Sequence, residues 1–333
     1  MLEDPTRGTA APGHGSAGPP DRVRPPSTEC PTVAWAGTSA RHPAPAIGDD
    51  CWFLSGATAS GKSALGVRMA LHLGAEIVSV DSMAVYRGLD IGSAKPTADD
   101  RRVVPHHLLD VASPAEPYSV ARWLDDVASA LASSRSRGRR ILFVGGTPLY
   151  LRALRDGLAV LPAADPELRD ALAAEAASRG SEHLHRRLAS IDPISAARIH
   201  RNDTRRIIRA LEVAGATGRP LSAAFSAAPN PLFEERLLIV DVPRAMLRER
   251  IDRRVERMFA EGLVEETRAA LERDGGIGPI ARQGAGYTEA IHLIEGRIGL
   301  AEAIRRTQDR TRQLAKRQLT WLRSFSRATW IAA

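Results

Sequence analysis

Residues 53–65 read FLSGATASGKSAL. Within this stretch, Gly56, Ala57, Thr58, Ala59, Ser60, Gly61, Lys62 and Ser63 match G-x-x-x-x-G-K-[ST] at every constrained position. An apolar run, Cys51-Trp52-Phe53-Leu54, leads into it, and SALGVRMALHL follows with apolar residues at helical spacing. The motif thus stands in a strand–loop–helix context, the setting of a phosphate-binding loop. Glycines let backbone N–H groups converge on an anion at a helix N-terminus. Lys62 adds a point charge, and the Ser63 hydroxyl can ligate Mg²⁺. The loop alone leaves open whether its ligand is ATP, GTP or another diphosphate.

Outward from the loop, the pattern is α/β. Short apolar runs at CWFLS, EIVSVD, RILFVGG and RLLIVDV read as buried parallel strands separated by amphipathic helical stretches. A doubly wound parallel sheet with helices on both faces follows. Such sheets bind ligands at the carboxyl ends of their strands. The P-loop, Asp81, Gly145-Gly146-Thr147 and Asp241 all fall there, which predicts one shared site.

Residues 165–205 change character: they are helical, Arg-rich and punctuated by Asp165-Pro166 and Asp192-Pro193. They read as a small all-helical insertion in a core formed by residues 49–164 and 206–333. After the last strand, RAMLRERIDRRVERMFAEGLVEETRAALE reads as one long amphipathic helical region, with Ile251, Val255, Met258 and Leu263 at helical intervals. The closing helix places Leu300, Ile304, Thr307, Thr311, Leu314 and Leu322 along one side and a stripe of Arg and Lys on the rest. Residues 1–48, rich in Pro, Gly, Ala, Ser and Thr without apolar periodicity, are expected to be a disordered tail. The tail lacks the features of a signal or transit peptide.

The chain has 333 residues, 44% of them hydrophobic, enough for one large core or two smaller ones. Its net charge of +7 points to an acidic partner such as nucleic acid or a phosphorylated metabolite. Two cysteines, Cys30 and Cys51, provide neither a disulfide framework nor a zinc site, which fits a cytoplasmic enzyme. No apolar run reaches the roughly 20 residues of a membrane span, so no membrane partner is expected.

Several polar positions admit two readings. Asp81, at the end of a strand facing the P-loop, suits a magnesium ligand or a general base; spacing alone favours the metal. Gly145-Gly146-Thr147 is either a simple strand-to-helix turn or a close backbone approach to ligand, with the Thr147 hydroxyl donating to phosphate. Arg250 and Arg254 share a helix face and could clamp a pyrophosphate, or join Arg253 in a surface ladder with Glu249 and Asp252. The C-terminal basic stripe is either a solvated face or a track for nucleic-acid phosphates. His106-His107 reads as structural.

Taken in order, GATASGKSAL, SVDSMAVYRGLDIGSAKP, VPHHLLDVASPAEPYS, VGGTPLYLRAL, NDTRRIIRALEV and TRQLAKRQLTWLR resemble the bacterial tRNA dimethylallyltransferases, or IPP transferases, from about residue 50 to 325. The resemblance implies transfer of a dimethylallyl group from dimethylallyl diphosphate to N6 of the adenosine immediately 3′ of the anticodon, with release of pyrophosphate. The loop from Gly56 to Ser63 would then cradle a prenyl diphosphate, aided by Arg254 and by Mg²⁺ on Ser63. Asp81 becomes the base, against the spacing-only preference, with Thr147 and Arg250 beside the diphosphate.

The tRNA anticodon stem-loop would meet Asp81, Ser82, Met83 and Ala84; Arg205, Arg206 and Arg209; Arg282 within 280–285; and Arg312, Lys316 and Arg317. A monomer, gripping the loop between core and insertion, is expected. Ala57, Ala84, Arg201, Arg205 and the GAGY at 284–287 depart from the usual family pattern without removing a proposed catalytic group. Two other enzyme classes share parts of the pattern. A small-molecule P-loop kinase needs Lys62, Ser63 and Asp81 but not the basic helices. A free-nucleotide isopentenyltransferase needs the donor site but no RNA contacts. A non-enzymatic RNA-binding module leaves the P-loop and Asp81 unexplained.

Overall fold

The computed structural model describes residues 41–42, 44–159, 161–163, 165–225 and 231–333. Most of the expected tail, residues 1–40, lies outside them. The described fold nevertheless reaches back beyond residue 49. Strand β1 (Arg41–His42) pairs antiparallel with β6 (Leu158–Ala159), and Ile47 is buried in the main core.

Four strands match the four apolar runs: β2 (Cys51–Gly56), β3 (Ala75–Val80), β5 (Arg140–Gly145) and β7 (Leu237–Asp241). Two more were not legible in the sequence: β4 (His106–His107) and β8 (Thr329–Ala332). The six form one parallel sheet in the order β4-β3-β5-β2-β7-β8. β2 lies between β5 and β7, so the loop after it is flanked by Gly145-Gly146-Thr147 on one side. Phe53 and Phe143 stack across β2 and β5 with centroids 5.0 Å apart.

Helices cover both faces. α1 (Lys62–Leu73) begins at the P-loop, α2 (Ala98–Val103) carries a capping box from Thr97 and Asp100, and α3 (Val120–Ser136) buries Trp123, Leu124 and Leu131. α4 (Pro148–Asp156) starts directly after Thr147.

Helices α5 (Pro166–Arg179), α6 (Ser181–Ile191), α7 (Pro193–Arg198) and α8 (Thr204–Thr217) enclose a separate small core around Leu172, Leu184, Leu188, Ile207 and Leu211. Both Asp-Pro signals hold: Asp165 and Asp192 accept from the N–H groups of Leu168 and Ser195 and cap α5 and α7, with proline in the first turn. The helical unit extends further than residue 205, however. The apolar face of α8 packs into this small core, so a boundary at 205 cuts α8 in its first turn.

The remaining helices are α9 (Pro231–Glu235), α10 (Arg244–Ala260), α11 (Leu263–Glu272), α12 (Tyr287–Ile294) and α13 (Leu300–Leu322). The expected single helical run is broken at Gly262, whose φ of 104° is accessible to glycine at little cost, so Leu263 opens α11. The buried side of α13 is Ala303, Thr307, Thr311, Ala315, Gln318 and Leu322, while Leu300 is exposed. Small side chains let α13 lie close to α10 and α12, an arrangement that a search for large apolar residues does not find. No helix among the described residues is long and apolar enough to cross a membrane.

Candidate active site

The P-loop departs from regular backbone where its motif requires. Gly61 at the N-cap of α1 has φ of 89°, and Ala59 also takes a positive φ of 63°. A Cβ on Gly56 would sit 2.7 Å from Ser60 Oγ and 3.2 Å from Val240, so glycine is needed for the loop to leave β2. The first-turn N–H groups of α1 have no intrahelical partner and carry the positive end of its dipole. Ser60 Oγ is buried without a hydrogen-bond partner among the described residues.

Beneath the loop lies a cavity of about 220 Å³, lined by Lys62, Asp81, Thr147, Arg254, Ala285 and Gln318 among others. A wider cationic groove opens beside it, lined by Arg250, Arg253 and Arg257. Lys62, Ser63 and Arg254 line both spaces. Of the four strand-end features expected to converge, three do so. Asp241 does not: it is exposed at the end of β7 and lines neither space.

Lys62 donates to the carbonyl oxygen of Ala57 at 3.3 Å. Burial pushes its ammonium from an ordinary 10.5 down to about 8; the Asp81 charge opposes that shift and the Arg254 charge adds to it. Burial likewise lowers Arg254, again opposed by Asp81. Arg250 reaches the Ser60 carbonyl oxygen at 3.4 Å. The surface-ladder reading of this helix applies to Arg253, paired with Glu249 at 3.1 Å, while Asp252 goes to Arg312 at 2.6 Å. The cations here outnumber the carboxylates beside them, so they repel one another, and a polyanion relieves that repulsion.

Asp81 is oriented by its own turn. Its Oδ1 accepts from the N–H of Met83 at 2.8 Å and, more weakly, of Ala84 at 3.4 Å. Thr147 Oγ1 accepts from the Ser82 N–H at 3.1 Å, leaving the hydroxyl proton for a ligand. Met83 and Ala84 both line the cavity, and Ala84 is buried.

His106 and Gln318 are among the cavity residues that escaped the sequence reading as site residues. His106, read as purely structural, also lines the cavity, with Nδ1 bonded to the Val104 carbonyl oxygen at 2.7 Å and its pKa lowered by burial. Only the register of β4 beside Ile77 of β3 brings it there. Gln318, at the end of TRQLAKRQ, bonds to the P-loop itself. His107 is structural as expected, held by Glu76 at 2.7 Å.

The expected RNA-facing cations divide into two groups. Lys316, Arg317 and Arg205 are exposed. Arg312 pairs with Asp252 and Asp309, Arg209 with Glu212 at 2.8 Å, and Arg206 with Asp203 at 3.2 Å. Arg282 donates to the Ile277 carbonyl oxygen at 2.9 Å.

Comparison with known proteins agrees with this geometry. The family model described as IPP transferase matches residues 84–325, and one described as Isopentenyl transferase matches residues 50–110. A tRNA dimethylallyltransferase of Anaeromyxobacter dehalogenans (strain 2CP-C) is 50% identical over 281 residues, 84% of this chain and 93% of that protein. One from Halorhodospira halophila is 50% identical over 276 residues, 81% of this chain and 88% of that protein.

Among solved structures, the full-length tRNA isopentenylpyrophosphate transferase of Bacillus halodurans superposes with a TM-score of 0.60 at 38% identity, covering 85% of this chain and 89% of that one. A eukaryotic dimethylallyltransferase acting on tRNA gives a TM-score of 0.69 at 25% identity, covering 85% and 73%. With the P-loop, the Asp81 turn and the C-terminal helix all inside the matched span, the chain belongs to the IPP transferase family.

Proposed function

We propose that this enzyme transfers the dimethylallyl group of dimethylallyl diphosphate to N6 of the adenosine immediately 3′ of the anticodon in tRNA. The observation that carries this reading is one cavity in which a cationic phosphate loop and the Asp81 carboxylate face the same enclosed space. A diphosphate held by the loop amides, Lys62, Arg250 and Arg254 is a stabilised leaving group. The N6 lone pair attacks the allylic carbon, the carbon–oxygen bond breaks, and the electron pair departs with pyrophosphate. As the new bond forms, the N6 proton becomes acidic and passes to Asp81, whose Oδ1 is tied to the turn and whose Oδ2 is the oxygen left to receive it. Thr147 donates a hydrogen bond from its hydroxyl to the leaving group.

Mg²⁺ fits this site as a companion of the substrate rather than a resident ion. Ser63 offers a hard oxygen ligand, but no cluster of three His, Cys, Asp or Glu stands ready among the described residues. When bound, it would neutralise charge on the diphosphate. Exposed Lys316 and Arg317 on α13 favour a tRNA acceptor over a free nucleotide. The enzyme acts as a monomer.

The test incubates the protein with Mg²⁺, labelled dimethylallyl diphosphate and either unmodified tRNA or AMP. Label at the adenosine beside the anticodon is expected. Label in AMP alone overturns the tRNA reading, and ATP consumption without prenyl transfer overturns the donor.

A further inference from the structure

Gln318 lies about five turns into α13 and is only 7% exposed, yet neither of its side-chain partners is on that helix. Its Oε1 accepts from the N–H of Thr58 in the phosphate loop at 2.8 Å. Its Nε2 donates to the carbonyl oxygen of Gly146, also at 2.8 Å. A primary amide supplies an acceptor and a donor from one rigid plane, whereas a carboxylate or an ammonium supplies only one kind. Gly146 makes the approach possible: a Cβ there would sit 2.8 Å from the Gly56 carbonyl oxygen and 2.9 Å from Gln318 Nε2.

The bonds continue beyond Gly146. The next residue, Thr147, donates its N–H to Val80 at 3.1 Å and accepts from Ser82 at 3.1 Å through Oγ1. Val80 and Ser82 bracket Asp81. A connected series of hydrogen bonds therefore runs from the phosphate loop, through the Gln318 amide, to the backbone on either side of the base.

We propose that Gln318 is a positioning residue that sets the distance between the phosphate loop and Asp81. This rests on the reading that the loop holds the donor diphosphate and Asp81 accepts the N6 proton. The loop and the base leave the ends of different strands, and β5 stands between those strands in the sheet. Displacing one against the other by a fraction of an ångström misaligns carbon, nitrogen and proton acceptor together. The oxygen and nitrogen of the amide are both engaged by backbone groups, and most of the phosphate cradle survives its loss. Its removal therefore acts on kcat rather than on KM for the donor.

The test uses the full chain, with wild type assayed in parallel for tRNA prenylation. Gln318→Met keeps the length of the side chain and abolishes both bonds. At a temperature well below its Tm, kcat is expected to fall about 10-fold or more, with KM for dimethylallyl diphosphate within about 3-fold of wild type. Gln318→Glu keeps the acceptor for Thr58 but turns a carboxylate on the Gly146 carbonyl oxygen. Protonation restores a donor there, so its activity relative to wild type is expected to rise as pH falls from 8 to 6.

A flat ratio across that range overturns the proposal even if Gln318→Met does not fold. So does a folded Gln318→Met with wild-type kcat, since a merely structural bond would lower Tm alone. Wild type that fails to prenylate tRNA overturns the functional reading instead, and the two failures are distinct.

Discussion

Arg312 on α13 is bound to Asp252 on α10, Nη2 to Oδ1 at 2.6 Å, with a second bond from Nη1 to Asp309 at 2.8 Å. Its charge is spent joining two helices, whereas Lys316 and Arg317, one turn further along, are exposed. The two kinds of cation should respond differently to salt. Replacing both Lys316 and Arg317 by alanine is expected to lower tRNA affinity and reduce the slope of log K against log salt by about 1.5. Arg312→Ala should leave that slope unchanged and lower stability by about 1 kcal/mol. Titrations of tRNA binding between low and moderate salt, with urea melts of each variant, measure both.

Asp81→Asn preserves an oxygen for the Met83 N–H while removing the proton acceptor. Loss of general base catalysis is expected to lower kcat about 100-fold or more. Affinity for tRNA, measured separately by filter binding, should change little. A variant with wild-type kcat would exclude Asp81 as the base.

Lys62, held down to about 8 mainly by burial, titrates inside the working range of a neutral enzyme. Its folded pKa lies below that of the unfolded chain, so the unfolded state binds more protons between about 8 and 10.5. This group accordingly stabilises the ligand-free fold as pH rises through that window. A bound diphosphate restores the charge. Pyrophosphate binding at pH 8 is expected to take up on the order of half a proton, seen as calorimetric heats that differ between HEPES and Tris buffers. Lys62→Met should abolish the difference and weaken binding about 10-fold or more.

Glu76 anchors the far side of the sheet. The Arg137 guanidinium, bonded at 2.6 Å, holds its carboxyl down to about 2 against the opposing effect of burial, with help from His107 and Ser134. Its folded pKa is depressed, so its stabilising contribution is complete above about 4.5 and disappears as pH falls towards 2. The loss is worth about 2 kcal/mol once the half-exposed Arg137 is discounted. Glu76→Gln should be less stable at pH 7 and show a flatter acid limb in denaturant melts taken from pH 6 to pH 3.

Much of the fold was legible in the sequence because its signals are local. Four strands announce themselves as apolar runs, and the P-loop states its own geometry through Gly56, Gly61 and the helix that follows. Asp165 and Asp192 cap helices through bonds three residues long. The elements that escaped are those whose identity depends on a distant neighbour. β4 is two histidines long and exists only because β3 is beside it, and β8 only because β7 has a free edge. Thr307 and Thr311 are buried on the side that the sequence marks with leucines, but Gln318 carries no apolar signal and is buried because the helix is gripped by α10 and α12.

The site divides along the same line. Which chemical groups are available, a phosphate loop with Lys62 and Ser63, a carboxylate at Asp81 and paired arginines at Arg250 and Arg254, is set by the order of residues. Which of them remain available is a tertiary matter, since a charge is free or spent according to what packs against it. Arg312 finds Asp252 sixty positions away, and Gln318 finds Thr58 two hundred and sixty positions away. Bonds between groups so far apart depend on the register of helices over the sheet, where ångström-scale packing, and not residue type or spacing, selects the partner.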